Sequence, residues 1–200
     1  LAGTTVSKAT LHNEDYIRDR DIRENDMVIV RKAGDIIPEI VASCPEKRNG
    51  TEKVFIMPET CPECGGKVVR KAGEAAYRCI NDNCRARVLR RLIHFVSRDA
   101  MNIEGLGEAQ VTALVDAGLV KSAPDIYWLT KQQLMTIDKI AEKSAENLLQ
   151  SIENSKHAGL ARLIFALGIR HTGKQTAEAL AERFENIEAL MNAGIEELCS

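Results

Sequence analysis

The chain has no apolar run approaching the roughly 18 residues that a membrane-spanning helix needs, and its opening, LAGTTVSKATLHNE, lacks the charged and apolar regions of a signal peptide. These absences predict a cytoplasmic protein with no membrane partner. Aromatic residues make up only 4% of the chain, so a partner recognised by stacking on many rings is not expected. There is no Walker loop, no dinucleotide fingerprint, no carboxylate cluster at metal spacing and no evident pairing of nucleophile with base, so no catalytic residue is assigned. Gly168 and Gly173 stand too isolated to suggest a nucleotide loop. What remains, 28% charged and 44% apolar residues among 200, fits a soluble globular protein of one or two domains or several small modules.

The net charge of −2 conceals unlike segments. Residues 1 to 60 carry 9 Lys+Arg against 11 Asp+Glu, residues 61 to 100 carry 9 against 4, and residues 101 to 200 carry 9 against 14. The basic centre includes RARVLRR, with Arg85, Arg87, Arg90 and Arg91, which reads equally as a face for a polyanion and as a solvated helix surface.

DMVIVRKAGDIIPEIV, residues 26 to 41, reads as strand, turn, strand, with β-branched runs on both sides of Ala33-Gly34-Asp35. Further short strands are expected around Thr4 to Val6 and Lys53 to Ile56, which makes a small all-β module. Leu1 lies so close to the first strand that a sheet partner upstream is expected. From residue 85 onward the period is helical: Val88, Leu89, Leu92, Ile93 and Val96 build one stripe. Helices are predicted at 85 to 99, 108 to 117, 131 to 136, 142 to 155, 159 to 167, 174 to 184 and 186 to 193, with C-caps at Gly118 and Gly194.

Between these elements stand Cys61-x2-Cys64 and Cys79-x4-Cys84. In a reducing compartment, close cysteine pairs favour a metal over disulfides, and four thiolates complete the tetrahedral shell of zinc, which makes the site structural. An iron–sulfur cluster and a redox pair are the alternatives. Cys44 and Cys199 lie outside the pattern and read as partly buried unpaired thiols.

Three five-residue turns recur between predicted helices, at 103 to 107, 137 to 141 and 169 to 173, each apolar at its first position and small at its last. They suggest helix-hairpin-helix units, in which glycines let backbone N–H groups approach a phosphate. Gly105 and Gly107 favour this for the first copy, and Gly173 with Lys174 for the third. Lys139 and Ala141 leave the second without glycine, and an architectural hairpin is the expectation there. For all three turns a plain connection of packed helices is the alternative.

LAGTTVSKATLHN, DIRENDMVIVRKAGDIIPEI, the four cysteines and hairpins beginning at NIEGLGEAQ, taken in that order, closely resemble the bacterial NAD-dependent DNA ligase family. The resemblance covers the whole chain and implies a multi-module fold. An incomplete OB-fold, a small β-barrel, would occupy residues 1–58, a four-cysteine zinc ribbon 59–84, and a truncated all-α helix-hairpin-helix domain 85–200. The family enzyme transfers AMP from NAD to its own lysine and seals nicks in duplex DNA during replication and repair. No Lys-x-Asp-Gly match occurs here, so NAD and Mg would be bound by domains outside this stretch, which is expected to be inactive alone, monomeric, and truncated at both ends. Carried over by resemblance, Cys61, Cys64, Cys79 and Cys84 hold structural zinc, while Arg31, Lys32, Ile36 and Ile37 meet the minor groove of nicked double-stranded DNA. Gly105, Gly107, Gly173 and Lys174 would join them at the phosphates. From the residues alone, Ile36 and Ile37 read as strand core. A complete, non-enzymatic DNA-binding module and a protein-docking scaffold are the competing functions.

Overall fold

The computed structural model describes residues 5 to 34 and 37 to 199, and the chain folds as two compact units, residues 1–81 and 82–200. Among the described residues no helix is long and apolar enough to cross a membrane.

In the first unit, Asn13 caps α1 (Glu14–Asp19) by accepting from the Tyr16 amide. Two-residue strands β1 (Arg23–Glu24) and β4 (Lys53–Val54) pair antiparallel. The longer β2 (Val28–Ala33) and β3 (Ile37–Ser43) form a ladder with a bulge between Ile29 and Val30. Strands β5 (Val68–Arg70) and β6 (Tyr77–Cys79) form the third pair. No closed barrel forms among the described residues, in keeping with the incomplete OB-fold expected: the sheets stay two-stranded, and β1 and β4 are too short to continue a ladder. Nor is the strand expected around Thr4 to Val6 formed at Thr5 and Val6, while Thr4 lies outside the described residues. Thr10 instead bridges Glu39 in parallel.

Apolar burial in this unit is thin: cysteines apart, Ile22 is the buried hydrophobic residue among those described. Charged contacts supply the cross-links. Arg48 donates from Nε to Asp26 Oδ1 (2.7 Å) and from a terminal nitrogen to Asp21 Oδ2 (2.6 Å). Arg70 on β5 grips Asp15 of α1, and the Tyr77 hydroxyl donates to Glu14 Oε2 at 2.8 Å.

The second unit is helical: α2 (Arg85–Val96), α3 (Glu108–Asp116), α4 (Ala123–Ile126), α5 (Lys131–Leu134), α6 (Glu142–Ser155), α7 (Leu160–Ala166), α8 (Lys174–Arg183), α9 (Ile187–Asn192) and α10 (Ile195–Cys199). Its core joins Leu92, Phe95 and Val96 of α2 to Ile103, Leu106, Leu114, Leu134 and Leu148, while α7 packs against α8. Side chains also bind backbone across this unit. His94 contacts the Phe165 carbonyl through Nε2 at 2.8 Å, and Arg162 Nε donates to the Ala100 carbonyl at 2.6 Å.

Two helices, α4 and α10, escaped the periodicity analysis because they are too short to show a stripe. For α4 the local signal was present: Asp125 accepts from the Ser122 amide, closing a capping box around Pro124. Gly118, at φ +71°, ends α3 as expected, whereas Gly194 has no positive φ and the helix before it closes on extended Ala193.

Candidate nucleic-acid interface and zinc centre

The cysteine ribbon is set by its glycines. The Gly65 amide donates to the Cys61 carbonyl at 2.8 Å with Gly65 at φ +67°, and the Cys61 amide donates to the Gly66 carbonyl at 2.7 Å. A Cβ on Gly66 would lie 3.2 Å from both Asn81 Cβ and Cys64 Sγ, so a side chain there would crowd the site. Pairing of Val68 with Cys79 brings the second cysteine pair alongside the first.

All four Sγ atoms lie within 4.8 Å of one another, and Cys64 and Cys79 are 3.5 Å apart. A tetrahedron of about 2.3 Å Zn–S bonds requires sulfurs about 3.8 Å apart, so this donor set fits zinc. The Asn81 amide draws the Cys79 thiol pKa down, but burial and the neighbouring Cys64 and Cys61 thiols push it up to about 11. A divalent cation among the sulfurs would reverse that preference and hold them as thiolates. Cys44 is a free, half-buried thiol, and the Cys199 side chain lies outside the described residues.

In the β2–β3 hairpin, Arg31 is not idle: its Nε and a terminal nitrogen donate to Glu39 Oε1 at 3.0 and 2.5 Å. The buried Glu39 also meets His12 Nε2 at 3.1 Å, and Arg31 first, then His12, hold its carboxyl below the usual range. Lys32 is exposed opposite Pro38. Ile37 is 60% exposed, so the core role expected from strand composition is wrong for it: it lies at the ladder's end, beyond reach of the thin core. Ile36 lies outside the described residues.

The three turns share one backbone. Their third residues are left-handed, Gly105 at φ +88°, Lys139 at +67° and His171 at +64°. In each, the fourth amide donates to the first carbonyl: Leu106 to Ile103, Ile140 to Ile137 and Thr172 to Ile169, at 3.0 to 3.2 Å. The fifth residues, Gly107, Ala141 and Gly173, are extended N-caps of α3, α6 and α8. The second turn thus holds the same geometry without glycine, a feature that composition could not reveal.

Flanking charge differs more than backbone. Glu104 and Glu108 surround the first turn, whereas Arg170, His171 and Lys174 surround the third. Because a left-handed L-residue is strained by about 1–2 kcal/mol, Gly105→Ala should destabilise the helical unit by about that amount. Lys139→Gly should stabilise it by up to about 1 kcal/mol. Parallel urea denaturation tests the opposite signs, and equal shifts in one direction would contradict the shared geometry.

A four-cysteine ribbon next in sequence to repeated helix-hairpin-helix turns and a β-module defines the class of zinc-containing DNA-binding proteins. Family models agree in order along the chain: NAD-dependent DNA ligase OB-fold domain at residues 1–52 and NAD-dependent DNA ligase C4 zinc finger domain at 60–86. A SAM-like helix-hairpin-helix tandem follows at 97–154 and a helix-hairpin-helix motif at 162–200. Similar curated proteins include the DNA ligase of Acetivibrio thermocellus, 55% identical over 200 residues, covering 99% of this chain and 30% of the relative. The DNA ligase of Pelotomaculum thermopropionicum is 57% identical over 198 residues, covering 99% and 29%. Residues 1–52 and 60–86 thus match domains of the NAD-dependent DNA ligase family, and the chain spans about 30% of the length of these relatives.

Proposed function

We propose that this chain is the DNA-positioning portion of an NAD-dependent DNA ligase that seals nicks in duplex DNA. The observation that carries this is the repeated left-handed turn and N-cap geometry of the three hairpins, which in this reading offers backbone amides to a phosphate. In this reading the modules run 1–58, 59–84 and 85–200. Arg31, Lys32, Ile36 and Ile37 address the minor groove, and Gly105, Gly107, Gly173 and Lys174 address phosphates. Exposure of Ile37 favours groove contact over strand core. Chemistry with NAD and Mg belongs to other domains of the ligase, and the protein acts as a cytoplasmic monomer.

The zinc-loaded chain should bind nicked duplex with an affinity that falls roughly tenfold or more between about 0.05 and 0.2 M salt. Lys174→Ala should weaken binding about threefold and reduce the salt slope by about one. Fluorescence anisotropy reads both, and a chain that ignores duplex DNA at low salt would rule the proposal out in favour of protein docking. Incubated with labelled NAD, the chain should acquire no covalent AMP.

A further inference from the structure

The most basic helix carries most of its cations under carboxylate cover. Arg87 and Arg91 lie four residues apart on one face of α2, and a single oxygen, Asp82 Oδ1, meets both, at 3.0 and 2.9 Å. Arg85 is gripped by Asp116 through Nε at 2.9 Å and a terminal nitrogen at 2.7 Å. Arg90 is exposed and has no carboxylate partner among the described residues. A solvated helix surface would not need one carboxylate spanning two guanidinium groups. Beside them, a cavity of about 320 Å³ is lined by Asp82, Arg91, Lys121, Leu92 and Phe95, so a second cation borders open space.

We infer that Asp82 is an exchangeable stand-in for a DNA phosphate: on duplex binding, a backbone phosphate displaces its carboxylate and takes Arg87 and Arg91. The inference rests on the DNA-binding function proposed above. Asp82 sits in the short loop between Cys79 and Cys84, which presents its carboxylate from backbone tied to the ribbon. Its side chain is 75% exposed, and ion pairs this open hold weakly, so exchange against a phosphate is nearly balanced. A phosphate matches the arginine fork with two oxygens, and duplex binding adds the gain of released counterions. Covered arginines also discriminate: an isolated anion must displace a carboxylate already in place, whereas a duplex held at the hairpins presents its phosphate at high local concentration.

Asp82→Asn keeps the shape of the side chain and removes its charge. In the zinc-loaded chain it should tighten nicked-duplex binding roughly three- to fivefold at about 0.1 M salt. Glu196→Gln, which changes net charge equally, should leave affinity within about 1.5-fold. In an Arg87→Gln/Arg91→Gln background the Asp82→Asn gain should vanish. An undiminished gain in that background, an equal gain from Glu196→Gln, or no gain at all would overturn the exchange while leaving the DNA-binding function standing. If the unmodified chain and every variant ignore duplex DNA, the underlying function falls and the exchange with it.

Discussion

Replacing Cys84 by serine is expected to abolish stoichiometric zinc and unfold the ribbon. Cys84 is completely buried and is the N-cap of α2, and among the described residues the cluster of possible metal donors holds the four cysteines alone, Cys44 lying outside it. Within residues 59–84, Cys61 and Cys84 are the buried side chains, and each strand of the β5–β6 pair is three residues long. Such a ribbon has no apolar core able to offset its chain entropy, whereas structural zinc supplies about 10–16 kcal/mol of apparent binding free energy. Metal analysis should find one zinc per chain in the parent and in a Cys44→Ser control, and little in Cys84→Ser or Cys79→Ser. Amide exchange should lose protection at Val68–Arg70 and Tyr77–Cys79 in both ligand variants. Retention of zinc and protection in Cys84→Ser would show that the fourth ligand lies elsewhere.

In the helical unit the largest single loss is expected from Leu134→Ala. Leu134, at 0% exposure, is enclosed by the core, so removal of its side chain leaves a void that surrounding helices cannot close, and a cost of about 4 kcal/mol is expected. Leu148, at 4% exposure, is nearly as buried, but it also lines an open groove of about 690 Å³ together with Gly105 and Lys139. Its Cδ1 lies 3.4 Å from the position a Cβ on Gly105 would take, so it props the first turn from α6. Water reaches part of the space vacated by Leu148→Ala, and the cost should fall nearer about 2–3 kcal/mol. Urea unfolding of both variants should preserve this order. The Leu148 variant should also weaken duplex binding, because it releases Gly105.

Local signals made much of this molecule legible. The stripe at Val88, Leu89, Leu92, Ile93 and Val96 predicted α2, and 142 to 155 was placed without error, since a long amphipathic helix repeats its pattern often enough to be seen. The four thiolates were legible for a different reason: tetrahedral ligation requires close pairs, and spacing in sequence reports it directly. The backbone that the second hairpin shares with the others was not legible, because glycine is the usual sign of a left-handed residue, whereas Lys139 and His171 adopt that conformation between packed helices. For Ile37 only the strand-core reading failed, because β-branched composition is the same on a buried and an exposed face.

By itself, then, the sequence determined the module order, the metal ligands, the long helices and the repeat of the turns, all properties of torsion preference and short-range spacing. Tertiary structure alone decided which cations are occupied. Arg70 finds Asp15 at a separation of 55 residues, Arg85 finds Asp116 at 31, and Asp82 covers both Arg87 and Arg91. Long flexible side chains take whichever opposite charge the folded backbone brings within reach, and that proximity is a property of the assembled chain rather than of any stretch within it.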